Sequence, residues 1–484
     1  MLYHLLRGQA EKFPDKVAVG GEHSSLTYGQ LLYEVERKAA FLQSLKLKGD
    51  DSILVGLPPS PDFFVIFYAS AAIGRTVIPV LPSEKIPKPI LHATPAVVVG
   101  ETPFVKETEK RFHNLKAAFS WDGKDGLRIP DPPGSFEHRK LIRKESVVAV
   151  SSSGTTGIPS LYFRSAELLL ERARMRAQIL GITAQDILLA TRPLNNGSSI
   201  NTYVLVPLVA GGQVAVREKF QRFAFVQAIA QEKVTVLYTV PLVFEMLASL
   251  PAAQAVDFSS LRLCISAGAP LARSVSERFQ QRFGIPIRQV YGGSHIHPIF
   301  TYSHSSLPGT VGHVSGPFPM AILDERGRTL GSEQIGEIAF DYAKFSQDWK
   351  KHLAKNPSRV GRYIHTGDLG KIDDAGNLYI VGRKSAFIKV GGNRVEPAEV
   401  EDVLRSHPLV NDALVFSLNP GQPDEAVAAL VATSARLTAR EIIRHCAGRL
   451  DSYKCPRKIE FTKSLPRNAH GKIVRHFNEG LSDN

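Results

Sequence analysis

Cysteine is scarce in this chain: Cys264, Cys446 and Cys455 are the three among 484 residues. An odd and scattered set excludes a disulfide framework and fits a reducing cytoplasm. No run of about eighteen apolar residues occurs, so no helical membrane span is expected. The start, Met1-Leu-Tyr-His-Leu-Leu-Arg7, lacks the basic beginning, apolar core and small-residue cleavage site of a secretory leader. Also missing are a fixed-period repeat, a low-complexity tract and a long basic run interleaved with aromatics. Nucleic acid is therefore not an expected partner. Neither Gly-x-x-x-x-Gly-Lys-Ser/Thr nor Gly-x-Gly-x-x-Gly is found, which removes the P-loop and Rossmann fingerprints.

What is present has the balance of a globular protein, with 43% hydrophobic and 22% charged residues. The length exceeds one ordinary core, so two or more domains are expected. A net charge of +13 favours acidic partners: nucleotides, coenzyme A phosphates, an acidic carrier protein or an anionic surface. Helical apolar spacing over Leu31–Leu45 alternates with short apolar runs at Ser52–Leu57, Thr76–Val80, Gln213–Val216, Val234–Tyr238 and Leu261–Ile265. Strand–helix alternation of this kind predicts α/β architecture with largely parallel sheets. Near Gly382 the texture changes. Helices over Glu399–His407 and Ala439–Cys446 and strands over Asp412–Phe416 and Ala426–Val431 are enough for a separate domain. The expected division is 1–382 and 383–484.

Five segments carry the chemistry. Ser151-Ser-Ser-Gly-Thr-Thr-Gly-Ile-Pro159 follows the apolar run Ser146–Val150; its glycines turn backbone N–H groups inward and its hydroxyls add donors, so it can wrap a polyphosphate. Ser266-Ala-Gly-Ala-Pro-Leu271 and Tyr291-Gly-Gly-Ser294 each end an expected strand, where α/β proteins bind ligands. Tyr363-Ile-His-Thr-Gly-Asp-Leu-Gly370 presents an acid on a tight turn, and Leu465-Pro-Arg-Asn-Ala-His-Gly-Lys472 stands near the C-terminus.

In that combination and order the chain resembles the adenylate-forming superfamily of acyl-CoA synthetases, peptide-synthetase adenylation domains and luciferases. The resemblance begins at Ala10-Glu-Lys-Phe-Pro-Asp15 and Leu26-Thr-Tyr-Gly-Gln-Leu31. It continues through Gly382-Arg383 and Ile388-Lys-Val-Gly-Gly-Asn-Arg-Val-Glu-Pro-Ala-Glu-Val-Glu401 to Lys472. It implies a large N-terminal domain of parallel-rich sheets flanked by helices and a small mobile α+β C-terminal domain. It also implies an acid–thiol ligase of the cytoplasm, placed in fatty acid metabolism. Such an enzyme activates a fatty or aromatic carboxylic acid with ATP and Mg2+ and passes the acyl group to coenzyme A. A carboxylate is a poor electrophile because oxide would have to leave; attack on the α-phosphate makes AMP the leaving group. Positioning and charge neutralisation are what that step needs.

By the same resemblance, Thr155, Thr156 and Gly157 cradle phosphates, and Gly268, Ala269 and Pro270 line the adenine pocket while Tyr291 stacks on the base. Asp368 accepts from the ribose hydroxyls. Arg383 supports the ribose, and Ser294 and Arg394 meet phosphate. Lys472 bridges carboxylate and α-phosphate oxygens as charge builds. Gly391 and Gly392 let a pantetheine arm approach, and Ser385 falls at the hinge. Arg192–Ser199 and Tyr238–Met246 border the acid; Asn195 and Asn196 offer it a polar edge or cap the next helix.

Two departures stand out. Pro159 is followed by Ser160-Leu161 where the family has Lys-Gly, and Ser294-His295 replaces Thr-Glu, removing the carboxylate that serves magnesium. Histidine is a poor magnesium ligand, and His295, His297 and His304 form an alternative transition-metal set. Two other functions share the motifs: a stand-alone enzyme loading an acyl or peptidyl carrier protein, and a catalytically weak nucleotide-binding relative. A chain without an appended carrier domain leads to the expectation of coenzyme A. Oligomeric state is not encoded in any of these features.

Overall fold

The computed structural model describes residues 1–81, 90, 95–123, 126–134, 136, 147–151, 161–218, 221–251, 256–292, 301–302, 309–314, 320–345, 350, 358–384, 388–420, 422, 424–467 and 473. The fold divides into two compact units, Met1–Thr239 with Leu250–Cys264 and Val240–Ser249 with Ile265–Asn484.

The first unit is α/β. Strands Ala117–Asp122, Pro95–Glu101, Ser52–Gly56, Thr76–Pro79 and Val147–Ser151 lie side by side in that order and run parallel. Gly126–Leu127 and Leu161–Ser165 pair antiparallel at the two edges. Ile53, Leu54, Val55 and Val97, Val98, Val99 are wholly buried. Consecutive apolar residues of this kind belong to a sheet covered on both faces, each side chain stabilising the fold by about 1.5–3 kcal/mol. A second parallel set runs Val236–Thr239, Ile187–Leu189, Gln213–Ala215 and Val17–Gly20, with Ser25–Thr27 antiparallel beside the last. Helix Tyr28–Ser44 begins at a capping box: Thr27 Oγ1 accepts from the Gln30 N–H at 3.2 Å, and Gln30 Oε1 accepts from the Thr27 N–H at 3.0 Å. Its stripe Leu31, Val35, Ala39 and Leu42 is buried at helical spacing.

The second unit adds a sheet that the apolar pattern had not announced. Thr301–Tyr302, Thr310–Val314, Leu378–Arg383, Tyr363–Ile372, Gly336–Asp341 and Met320–Leu323 are antiparallel throughout. A tight turn joins Tyr363–Ile372 to Leu378–Arg383. Between Ile372 and Leu378, Asp373 accepts from the Asn377 N–H at 2.7 Å and Gly376 takes φ +83°, the chemistry of a hairpin.

Farther along the chain, strands Asp412–Leu418, Ala426–Ala432 and Lys458–Thr462 form a sheet, the first pair antiparallel and the second parallel. Helices Pro397–Arg405 and Ala439–Ala447 pack with it around Val400, Leu404, Ala413, Val415, Val431 and Ile442. The second of these helices repeats the capping box, with Thr438 and Glu441. All four expected elements of this α+β portion are present.

Candidate active site

Strand Leu263–Ala267 is buried along its length and delivers Gly268, Ala269 and Pro270 to an exposed turn, with Gly268 at φ +90°. Strand Ile287–Val290 delivers Tyr291. Gln289 ties the two together: its Oε1 accepts from the Leu271 N–H at 3.2 Å, and its Nε2 donates to the Thr310 carbonyl at 3.3 Å. Residues two apart on a strand share a face, so the strand that pins the 268–271 turn also aims Tyr291. The motifs did not single out Gln289; the signal available was its alternation with Tyr291.

Tyr291 reaches the Thr-Gly-Asp turn. Its hydroxyl donates to Asp368 Oδ2 at 2.6 Å, while Arg383 Nε donates to Oδ1 at 2.7 Å. Register explains the second contact, because Asp368 and Arg383 are direct partners across strands Tyr363–Ile372 and Leu378–Arg383. Asp368 is 7% exposed. Burial first, and then the adjoining Asp368 carboxylate, hold the Tyr291 phenol well above the usual tyrosine range. The phenol stays a donor, and the carboxylate keeps lone pairs for further donors.

The turn is braced from behind. Gly367 has φ +73°, the left-handed region that glycine enters without cost. Its N–H donates to Glu337 Oε1 at 3.2 Å; Glu337 Oε2 meets Lys384 Nζ at 2.9 Å and His365 Nδ1 at 3.1 Å. Burial pushes the Glu337 carboxyl up, but hydrogen bonds from Lys384 and His365 more than offset it and hold the group below the usual range. Thr366 Oγ1 donates to the Ile338 carbonyl at 2.7 Å and accepts from the Asp368 N–H at 3.0 Å. Glu337, like Gln289, lies outside every motif. It sits 30 residues from the turn and has no local pattern to reveal it.

Gly391 and Gly392 form the two-residue loop of a hairpin in which Val390 partners Asn393. Their φ values, +54° and +85°, are those of a turn that needs left-handed backbone at both central positions. A Cβ built at either glycine would meet nothing within 4 Å. Arg394 falls on strand Asn393–Val395 opposite Lys389. Gly382 lies against the end of the Glu396 side chain: a Cβ there would stand 2.0 Å from Glu396 Oε2 unless that side chain moved.

Thr155, Thr156, Gly157, Ser160, Ser294, Ser385 and Lys472, with His295, His297 and His304, lie outside the described residues. Asn196 caps the short helix Gly197–Ser199, its Oδ1 accepting from the Ser199 N–H at 3.0 Å. Asn195 is buried beside it in sequence, 4% exposed. Among the described residues, the carboxylate and imidazole groups near enough for a metal are Glu22, His23 and Glu218, the first two exposed.

The acid turn is thus gripped by a phenol and a guanidinium, and the glycine turn is pinned by Gln289. Comparison with known proteins identifies the family. The model of the AMP-binding enzyme family matches residues 6–343, and that of the AMP-binding enzyme C-terminal domain matches 399–472. The chain is 27% identical over 482 residues to 4-coumarate–CoA ligase 3 of Oryza sativa subsp. japonica, covering 94% of this chain and 87% of the relative. It is 27% identical over 484 residues to indoleacetate–CoA ligase of Aromatoleum aromaticum, covering 95% and 94%. Among solved structures, ATP-bound MatB from Rhodopseudomonas palustris superposes with TM-score 0.82 at 22% identity, over 98% of this chain and 97% of that one. The o-succinylbenzoate CoA synthetase of Bacillus subtilis, in complex with its acyl-adenylate intermediate, gives 0.81 at 23%, over 97% and 96%. The chain belongs to the AMP-binding enzyme family and is an adenylate-forming enzyme of the acyl-CoA synthetase and ligase type.

Proposed function

We propose that this enzyme joins a small carboxylic acid, fatty or aromatic, to coenzyme A in two steps. A carboxylate oxygen attacks the α-phosphate of ATP, forming the acyl-adenylate and expelling pyrophosphate. The thiol then attacks the acyl carbon, and AMP leaves with the electron pair of the broken C–O bond. The observation that carries this reading is Asp368, buried and held through both oxygens by Tyr291 and Arg383. A carboxylate so oriented receives the two ribose hydroxyls without having to reorganise.

The remaining roles follow the motifs. Gly268, Ala269 and Pro270 border adenine, with Tyr291 against the base. Thr155, Thr156, Gly157, Ser294 and Arg394 contact phosphate, and Lys472 neutralises the charge that builds on the α-phosphate. Ser385 is the hinge of a mobile C-terminal domain beginning after Gly382, and Gly391 and Gly392 border the thiol. Magnesium accompanies the nucleotide, with no side chain of the chain assigned to it. Arg192–Ser199 and Tyr238–Thr239 border the acid. Relatives that are named CoA ligases, and activate 4-coumarate and indoleacetate by name, support coenzyme A as acceptor; Arg394-Val-Glu-Pro keeps a carrier protein as the rival.

Acid-dependent exchange of pyrophosphate into ATP, over a panel of acids, tests the first step. Exchange with one acid class that disappears in Lys472→Ala supports it, and ATP binding without exchange overturns it. Replacing coenzyme A by a loaded-ready carrier protein in the second step identifies the acceptor.

A further inference from the structure

Helix Ala439–Ala447 turns one arc of its surface to solvent. Ile442 and Cys446 are buried in the core of the α+β portion. Arg440, Ile443, Arg444 and Ala447 are all exposed. Residues three and four apart share one face of a helix, so two arginines and two apolar side chains make a single stripe. Arg436 and Arg449, both exposed, stand just before and just after the helix. The one acid of the helix, Glu441, is turned to the N-terminal cap, where it accepts from the Thr438 N–H at 2.8 Å and the Thr438 hydroxyl at 2.6 Å. Those bonds hold its carboxyl below the usual range.

Other helices of this chain answer an arginine with an acid four residues away: Arg7 with Glu11, Arg111 with Glu107, Arg273 with Glu277. Arg440 has arginines in both of those places, Arg436 and Arg444. Among the described residues, Arg436, Arg440 and Arg444 form no ion pair. Like charges four apart weaken a helix, and a cation in the first turn opposes the macrodipole. Helix stability therefore gives no reason for Arg440, whereas a partner that brings negative charge does.

We propose that this stripe docks an acidic helix of a partner protein, with carboxylates on the arginines and an apolar side chain over Ile443 and Ala447. Guanidinium forks match the two oxygens of a carboxylate side by side. From Arg440 to Ala447 the stripe runs about 10 Å along the axis, room for two turns of a facing helix. A membrane-surface helix needs a broad face of Trp, Phe or Leu, and a single-strand groove needs aromatic platforms. The stripe has neither. Its residues lie outside every motif assigned to nucleotide, acid or thiol, so the docking surface stands whether or not acid activation does.

The probe is a stapled helical peptide with glutamates one turn apart around a leucine, followed by fluorescence anisotropy on the full chain. The wild type should bind it. Arg440→Glu combined with Arg444→Glu should weaken binding at least about tenfold, and Ile443→Ser about threefold to tenfold. Lys106→Glu combined with Lys110→Glu is the control, because those lysines are exposed and four apart on helix Thr102–Arg111 and the net charge changes equally. Equal weakening by the control assigns binding to the general field of a chain of charge +13 and overturns the site; so does a wild type that ignores the peptide. Phosphatidylglycerol vesicles and a single-stranded oligonucleotide are titrated in parallel. Tighter binding of either, with the same dependence on Arg440 and Arg444, overturns the protein partner. Arg440→Glu complements the helix N-terminus and should keep or raise the melting temperature; a fall assigns the arginine to the fold and counts against docking.

Discussion

Asp368 joins Tyr291, Arg383 and strand register in one side chain. Replacing it with alanine removes the acceptor for Tyr291 and Arg383 as well as the proposed acceptor for ribose. With charged hydrogen bonds worth about 1.5–3 kcal/mol, adenylation should fall at least about 100-fold. Asp368→Asn keeps the shape but loses the charge and should retain more activity; steady-state kcat and KM for ATP check both. Gln289 is a positioning residue, since it acts through the Leu271 backbone and the Thr310 carbonyl. Gln289→Ala should raise KM for ATP about threefold to tenfold, with about 1 kcal/mol of stability lost, while Gln289→Glu, which keeps the acceptor, recovers part of it. Tyr291 sets an alkaline limit. Its phenol proton is held more tightly in the native state than in the unfolded chain. That contribution is therefore complete below the ordinary tyrosine pKa of about 10 and is lost as pH rises toward the native value. Denaturant midpoints between pH 9 and 12 should fall more steeply for the wild type than for Tyr291→Phe. Parallel curves would show that the phenol is not linked to folding.

At the level of elements, glycine and threonine carry the readable signals. Gly391-Gly392 is a hairpin loop by its φ values, so the turn alone accounts for both glycines, and any thiol role is additional. Gly391→Asn separates the two. Asparagine tolerates left-handed backbone and suits this turn, so stability should change by no more than about 0.5 kcal/mol. Its added side chain enters open space, and thioester formation should fall more than adenylate formation. Equal losses in both half-reactions would assign the glycines to folding alone. Thr27 and Thr438 were legible as helix starts because Gln30 and Glu441 follow at the right spacing. The antiparallel sheet around Asp368 was not. Its longest strand, Tyr363–Ile372, alternates partly buried and buried positions, and a pattern of period two does not say which strand pairs with which.

Charge acts at the scale of the whole molecule. The surplus of 59 basic over 46 acidic residues attracts ATP, coenzyme A and acidic protein alike, through a field that salt screens within about 10 Å at ordinary ionic strength. Raising salt should lower kcat/KM for both anionic substrates by about tenfold through KM, with kcat little changed. Initial rates across a salt series read this directly, and a flat series would place recognition entirely in local contacts.

Local chemistry was sufficient for part of this protein: a glycine loop after a strand, an acid on a Thr-Gly-Asp turn, two capping boxes and a change of texture near Gly382 are all properties of neighbouring residues. Together with the order of the motifs, those features point to the family. Tertiary structure alone brought Gln289 to Leu271 and Thr310, Glu337 to Gly367 and Lys384, and Arg176 to Thr202 and Tyr238. Their partners lie 18 to 47 residues away in the first two cases. The last joins a helix to a π-helical turn and a strand end. No spacing rule links such positions, because only the folded chain decides which polar groups must be buried together and satisfied there.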